Sequence, residues 1–147
     1  MLSEFDAGEA AGIRFRYSKS TGLANGHDAI HFSQPQRARM NTPHAYTPDA
    51  PTRAEVDALA GATVIEFGTN WCGICAGAQP AIRDAFRTHP AIRHLKIEDG
   101  PGRPLGRSFR VKLWPTLVFL RDGVEVARVV RPADAAQIEA DGFAALA

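Results

Sequence analysis

The chain has 147 residues, enough for one domain of ordinary size with its own hydrophobic core and an additional segment. Its net charge of +1 gives no indication of a nucleic acid or a membrane surface as a partner. Residues 1–11 lack the basic and apolar regions of a secretory signal, and no segment approaches the roughly 20 apolar residues of a membrane span. We therefore expect a soluble, cytoplasmic protein.

Residues 1–51 differ in composition from the rest of the chain, being rich in Gly, Ser, Asn, His, Arg and Pro. Two short alternating stretches, residues 13–17 and 30–32, predict either a hairpin across the turn region 22–28 or an irregular arm. We therefore predict an N-terminal extension at 1–51 and a single domain at 52–147.

From Thr52 the pattern becomes regular. Thr52 and Glu55 have the spacing of a capping box, which predicts a short helix that ends near Gly61. Residues 63–67 form an apolar strand that contains one carboxylate. A helix is predicted to follow it as far as about residue 88, where Pro90 stops it.

The remaining elements follow in the same alternation. Residues 94–98 predict a strand, and 105–109 a short helical turn. Residues 114–120 predict another strand, which the sequence Asp122-Gly123 joins by a tight turn to a strand at 124–130. A last helix is predicted to begin around 132–134. This order predicts an α/β domain in which a mixed central sheet is flanked by helices.

The only two cysteines, Cys72 and Cys75, lie between the first strand and its following helix. Two thiols at this spacing suit reversible disulfide chemistry. The same spacing supplies half of many zinc sites, but zinc needs about four ligands and no histidine pair repeats the spacing. A c-type haem would need histidine where Ala76 stands. Redox chemistry, a metal site and an inert pair of buried thiols all remain open from the pair alone.

The surrounding residues resemble the thioredoxin family over about two thirds of the chain, from Thr52 to Ala147. The residues that carry the resemblance are Trp71 and Gly73 around the first cysteine, Pro80 in the following helix, Glu66 six residues before Cys72, Lys96 nineteen residues before Pro115, and the pair Pro115-Thr116. The resemblance implies a thioredoxin fold with an irregular N-terminal extension.

The resemblance also implies a role for each residue of the dithiol site. Cys72, at the exposed start of the helix, is the expected nucleophile, because a helix N-terminus favours the thiolate. Cys75 is the expected resolving thiol. Glu66 is expected to exchange a proton with Cys75 through a water, and it needs either protonation or a partner because it lies in an apolar strand. Lys96 is the expected partner.

Substrate binding is implied at residues around the dithiol. A cis peptide bond at Pro115 is expected to leave the backbone of Trp114 free to pair with a strand of the substrate. Trp71 and Trp114 are expected to flank the dithiol as an apolar platform, and Gly73 and Ile74 separate the two cysteines. The resemblance implies no cofactor beyond a redox-active disulfide between the cysteines, and no metal.

Three residues differ from the usual thioredoxin pattern: Ile74 replaces a proline, Trp114 replaces a smaller aliphatic residue and Arg131 replaces a glycine. The change at Ile74 is expected to raise the reduction potential, and together the three changes predict a narrower set of substrates. Scattered basic residues predict either a partner surface or a solvated face: Arg37 and Arg39 in the extension, and Arg103, Arg107, Arg110 and Lys112 before Trp114.

The sequence therefore predicts a thiol-disulfide oxidoreductase that reduces protein disulfides and is itself reduced by a flavin-dependent thioredoxin reductase. The alternative is a redox-sensing binding module, in which the state of the dithiol controls the recognition of a partner.

Overall fold

The structure is a computed structural model that describes residues 44–147; the hairpin predicted within residues 13–32 lies outside the described residues. Helices and strands alternate in the predicted order: α1 Arg53–Asp57, β1 Ala62–Gly68, α2 Gly73–Phe86, β2 Arg93–Glu98, α3 Pro104–Ser108, β3 Thr116–Arg121, β4 Val124–Val130, α4 Ala135–Asp141 and a final 3-10 helix Phe143–Leu146. The capping box at Thr52 and Glu55 is present, which confirms the predicted start of α1.

The four strands form one mixed sheet in the order β2-β1-β3-β4. Strand β1 pairs in parallel with β2 and antiparallel with β3, and β4 pairs antiparallel with β3. The parallel pair places Glu66 beside Lys96 in the register. Because α2 is the crossover connection between β1 and β2, its N-terminus and the dithiol lie at the carboxyl end of β1.

Alternate residues of the sheet bury their side chains in two separate cores, one on each face. On one face, Val64 and Leu117 pack with residues of α2 and α4, including Ile82 and Ile138. On the other face, a second cluster contains residues of the sheet together with residues of α1 and α3: Val56, Ile65, Phe67, Ile97, Leu105, Phe109, Val118 and Leu120. Helices therefore cover both faces of the sheet, as predicted.

Two predicted bounds need correction. Strand β3 begins at Thr116 rather than at residue 114, because the Trp114–Pro115 peptide bond is cis and precedes the ladder. The last helix is interrupted at Gly142, where the ring of Phe119 lies so close that a Cβ would overlap it. Within residues 44–147, no helix combines the length and the apolar character needed to cross a membrane.

The segment that precedes α1 also contacts the sheet. The amide of Thr47 donates to the carbonyl of Lys96 at 3.0 Å, and the Thr47 carbonyl accepts from the amide of Glu98 at 2.8 Å. The neighbouring Tyr46 is buried, with 5% of its surface exposed. Thr47, which the sequence assigned to the extension, thus pairs with the edge of β2. The division at 51/52 stays a prediction.

Candidate active site

Both cysteines are free thiols at the N-terminus of α2. Cys72 is the N-cap residue, and its sulfur accepts a hydrogen bond from the amide of Cys75 at 3.3 Å. Cys72 is partly exposed, whereas Cys75 is buried one turn further along the helix. Of the two thiols, only that of Cys72 is therefore accessible from solvent.

The surroundings separate the acidities of the two thiols. Burial opposes ionisation of Cys72, but hydrogen bonds from Cys75 and the Ile74 amide, together with the charge of Arg131, lower its pKa. Burial and the hydrogen bond to Cys72 raise the pKa of Cys75 to about 11. At neutral pH, Cys72 is thus the better source of a thiolate and Cys75 stays protonated.

We expect iodoacetamide at pH 7 to alkylate Cys72 at least about tenfold faster than Cys75, because the thiolate is the reactive form. Replacing Arg131→Ala removes a nearby positive charge and should move the alkylation midpoint of Cys72 to higher pH. Mass spectrometry of the alkylated protein across a pH series measures both effects. Arg87→Ala, at the opposite end of α2, is the matched control and should leave the midpoint unchanged; an equal shift in both variants would contradict the assignment.

Glu66 is fully buried and accepts hydrogen bonds from three side chains. The hydroxyl of Tyr46 donates to Oε1 at 2.5 Å, the amide of Gln79 donates to the same oxygen at 2.7 Å, and Nε2 of His94 lies 2.9 Å from Oε2. Lys96 Nζ is 3.7 Å away and instead donates to Oε1 of Gln79 at 2.6 Å. Lys96 is therefore only one partner of Glu66, and Gln79 links the two.

These contacts decide between the two states expected of Glu66. Burial alone would raise its pKa, but the hydrogen bond from His94 and the charge of Lys96 outweigh burial, so its pKa lies below the usual range. Glu66 is therefore an ionised, paired carboxylate and not a protonated one. Because a carboxylate only accepts, His94 donates from Nε2, and its ring is stacked on Phe86 at 3.9 Å.

Tyr46 lies between Glu66 and the dithiol. Its hydroxyl donates to Glu66, and the same hydroxyl acts to lower the pKa of Cys75, against the larger effect of burial. Tyr46 and Cys75 meet over Gly68, where an added Cβ would lie 2.6 Å from the Tyr46 hydroxyl oxygen and 2.8 Å from Cys75 Sγ. A bare Cα at Gly68 is what allows this approach.

Sequence reasoning missed Tyr46, Gln79 and His94 as members of this site. Gln79 follows Cys75 by four residues, so the helical period alone places both on one face of α2. His94 precedes Lys96 by two residues in β2, and this spacing likewise predicts a shared face. Tyr46 has no such local signal, since it belongs to a segment without periodicity.

The two tryptophans lie beside each other at the site, with ring centroids 5.9 Å apart in an edge-to-face arrangement. Trp71 is 78% exposed and Ile74 is 49% exposed. Gly73 is exposed as well. Trp114 is half-buried because its indole nitrogen donates to Asp99 at 2.8 Å. Trp71 precedes Cys72 in the chain, so the tryptophan pair and Ile74 leave apolar surface exposed near the dithiol.

The backbone of Trp114 is not entirely free, which corrects the sequence expectation. The peptide bond to Pro115 is cis, as the resemblance implies, but the Trp114 carbonyl accepts a hydrogen bond from Arg131 Nε at 3.1 Å. Arg131 has a φ of 49°, the left-handed region that favours glycine, and glycine is the usual residue there. A docking strand would need to displace this guanidinium or bind it.

The described part of the chain contains no group of three or more His, Cys, Asp or Glu side chains arranged to hold a metal ion. His94 is hydrogen-bonded to Glu66 instead.

Comparison with known proteins adds independent information. A family model described as Thioredoxin matches residues 46–141. Thioredoxin H-type 1 of Nicotiana tabacum is 34% identical over 67 residues, which make up 46% of this chain and 53% of that protein. The thioredoxin of Chlamydia pneumoniae is 31% identical over 71 residues, or 48% of this chain and 70% of that protein. The chain spans about half the length of several of the curated relatives it matches.

Among solved structures, reduced thioredoxin 2 from Pseudomonas aeruginosa PAO1 is similar to this chain with 62% sequence identity and a TM-score of 0.60. That similarity covers 65% of this chain and 88% of the solved one. The family match extends over more than half of this chain and includes the dithiol, the buried glutamate and the cis-proline. The chain therefore belongs to the thioredoxin family.

Proposed function

We propose that this protein is a thiol-disulfide oxidoreductase that reduces disulfides of client proteins. The observation that carries the proposal is the asymmetry of the dithiol: a partly exposed, acidic Cys72 at a helix N-terminus lies next to a buried, protonated Cys75. Family membership supports the same chemistry.

The reaction needs two exchanges of sulfur bonds. The thiolate of Cys72 attacks the client disulfide, so a bond forms between Cys72 Sγ and one client sulfur, and the other client sulfur leaves and takes a proton from water. Cys75 then loses its proton and attacks Cys72 Sγ, which forms the Cys72–Cys75 disulfide and releases the second client thiol. Two electrons pass from the dithiol to the client, and no other cofactor is needed.

We propose that the proton of Cys75 leaves through Tyr46 to Glu66. The hydroxyl of Tyr46 receives the proton as it gives its own to Oε1 of Glu66, so the ring never has to become a phenolate, a state that burial and the charge of Glu66 strongly disfavour. The charge and hydrogen bond of Cys72, which help to hold the thiol proton on Cys75, are lost once Cys72 is bonded to the client. Glu66 afterwards returns the proton to water.

The proposed partners are client proteins with accessible disulfides and a flavin-dependent thioredoxin reductase that restores the dithiol. The proposed compartment is the cytoplasm, where a reducing environment suits a dithiol that donates electrons. The competing function is a binding module whose dithiol only reports the redox state.

Reduction of insulin disulfides distinguishes these two functions. We expect catalytic turnover when NADPH and a thioredoxin reductase are supplied. The oxidation of NADPH measures this turnover. A variant with both cysteines replaced by serine is the control for the uncatalysed rate. Tight redox-dependent binding of a partner without any turnover above this control would overturn the proposed enzyme and support the binding module.

A further inference from the structure

A basic pocket of about 420 Å³ opens beside the active site, between α3 and the loop that leads to Trp114. Four basic side chains line it, and the structure thus brings together residues that the sequence left as scattered charges: Arg103, Arg107, Arg110 and Lys112. Trp114 forms one wall. The pocket is therefore continuous with the apolar platform next to Cys72 through the contact between the two tryptophans.

The positive charge of this pocket is largely uncompensated. Arg103 pairs with Glu98 at 2.9 Å, but no carboxylate among residues 44–147 pairs with Arg107, Arg110 or Lys112, and all three are exposed. The one acidic residue of the lining, Asp99, already accepts a hydrogen bond from the indole of Trp114. Guanidinium groups suit carboxylates in particular, because their planar donors match the two oxygens.

The backbone at Arg110 supplies a second observation. Arg110 has a φ of 56°, a left-handed conformation that is unfavourable for a residue with a side chain. The turn is closed by hydrogen bonds of 2.9 Å from the Arg110 amide to Arg107 and from the Val111 amide to Gly106. Glycine would avoid this cost, so an arginine held here indicates a function for its side chain.

We propose that this pocket binds acidic side chains of the client protein next to the disulfide that Cys72 attacks. The proposal rests on the proposed function and deepens it, because it names the class of client: disulfides flanked by aspartate or glutamate. Such a pocket would restrict the set of clients. A client with acidic residues beside its disulfide gains ion pairs, whereas a client with basic residues there is repelled.

Binding can be measured without any redox step. The probe is a ten-residue peptide with serine in place of cysteine and three aspartates on one side, and the matched peptide carries three asparagines. In amide NMR titrations of the full chain at low salt, the aspartate peptide should bind roughly tenfold more tightly, because exposed ion pairs each contribute modestly. The changes in amide chemical shift should concentrate at residues 103–114. The preference for the aspartate peptide should vanish near 1 M salt, where the Debye length is about 3 Å.

Charge reversal tests which residues carry the preference. Arg107→Glu combined with Lys112→Glu should reduce the affinity for the aspartate peptide to that for the asparagine peptide, whereas Arg87→Glu, an exposed arginine at the far end of α2, should leave the ratio unchanged. Equal loss of the preference in both variants, or amide chemical-shift changes spread over all basic residues, would overturn the proposed binding in this pocket.

The acidic residues Glu4, Asp6 and Glu9 of this chain are a rival occupant of the pocket. If neutralising these residues changed the amide chemical shifts at 103–114 in the absence of peptide, the pocket would be assigned to them instead.

Kinetics separates a failure of the pocket from a failure of the proposed function. Disulfide-containing versions of the two peptides are reduced by the wild-type protein, and kcat/KM for each is compared within each variant. Reduction of both peptides at equal rates would leave the oxidoreductase intact and overturn the acidic-client proposal. Preferred binding of the aspartate peptide without reduction of either would uphold the pocket and overturn the enzyme.

Discussion

A Cys75→Ser variant is expected to accumulate a mixed disulfide between Cys72 and its client, with turnover reduced about a thousandfold or more. The first exchange needs only the exposed Cys72 thiolate, which this variant keeps. The second exchange has no nucleophile once the buried thiol is removed, so the reaction stops half-way. Non-reducing gel electrophoresis and mass spectrometry detect the trapped adduct and identify its cysteine.

Cys72→Ser is the matched control, since it keeps one thiol and the same fold. It should form no adduct, because Cys75 is buried and its pKa of about 11 keeps it protonated at neutral pH. An adduct on Cys75 of this control, at a rate similar to that of the Cys72 adduct, would reverse the assignment of nucleophile and resolving thiol.

A Tyr46→Phe variant is expected to slow the second exchange about a hundredfold while leaving the first unchanged, because it removes only the hydroxyl of the proposed proton route from Cys75 to Glu66. Positioned proton transfer typically contributes a factor of this size or more. Rapid-quench measurements of mixed-disulfide formation and decay separate the two steps. The domain should still fold, since Glu66 keeps Gln79, His94 and Lys96 as partners, at a cost of about 1 to 3 kcal/mol for the lost donor.

Glu66→Gln provides the control for this route, because it keeps the shape of the side chain but cannot take a proton. It should slow the same step, and the double variant with Tyr46→Phe should be no slower than the slower single variant, as expected for two groups that act in one route. Independent, multiplicative slowing in the double variant would show that the two residues act separately. Equal slowing of the first exchange would indicate a general structural defect instead.

The proposed role of the basic pocket predicts which clients these assays will trap. A client with an acidic flank should accumulate more mixed disulfide with Cys75→Ser than a client with a neutral flank when the two compete. Trapping by Cys75→Ser therefore also isolates clients, and the residues that flank their trapped cysteine can be identified by sequencing.

The alternation of elements was predictable because each element has a local signal. The capping box at Thr52 and the tight turn at Asp122-Gly123 depend on residues only a few positions apart. The two-sided cores follow from the period of apolar residues in the strands and helices. The dithiol is also a local feature: the apolar strand before Cys72 and the helical pattern after Cys75 predicted its position at the start of α2.

The surroundings of Glu66 could be predicted only in part. Lys96 was expected as its partner, yet the shorter contacts come from Tyr46, which is 20 residues away in sequence, and from His94, which is 28 residues away. The pairing of β1 with β2 and the packing of α2 on the sheet create these contacts. Neither the periodicity of the chain nor the type of any single residue specifies which donor reaches the carboxylate first.

The sequence by itself thus determined the order of the elements, the redox-active pair and the buried acid, because each depends on neighbours along the chain or on the period of one element. Only the tertiary structure decided that Tyr46 bonds Glu66 and meets Cys75 at Gly68, and that Arg107, Arg110 and Lys112 line one pocket with Trp114. The physical reason is that hydrogen bonds and charge clusters form between side chains that the sheet and its helices bring together from distant parts of the chain.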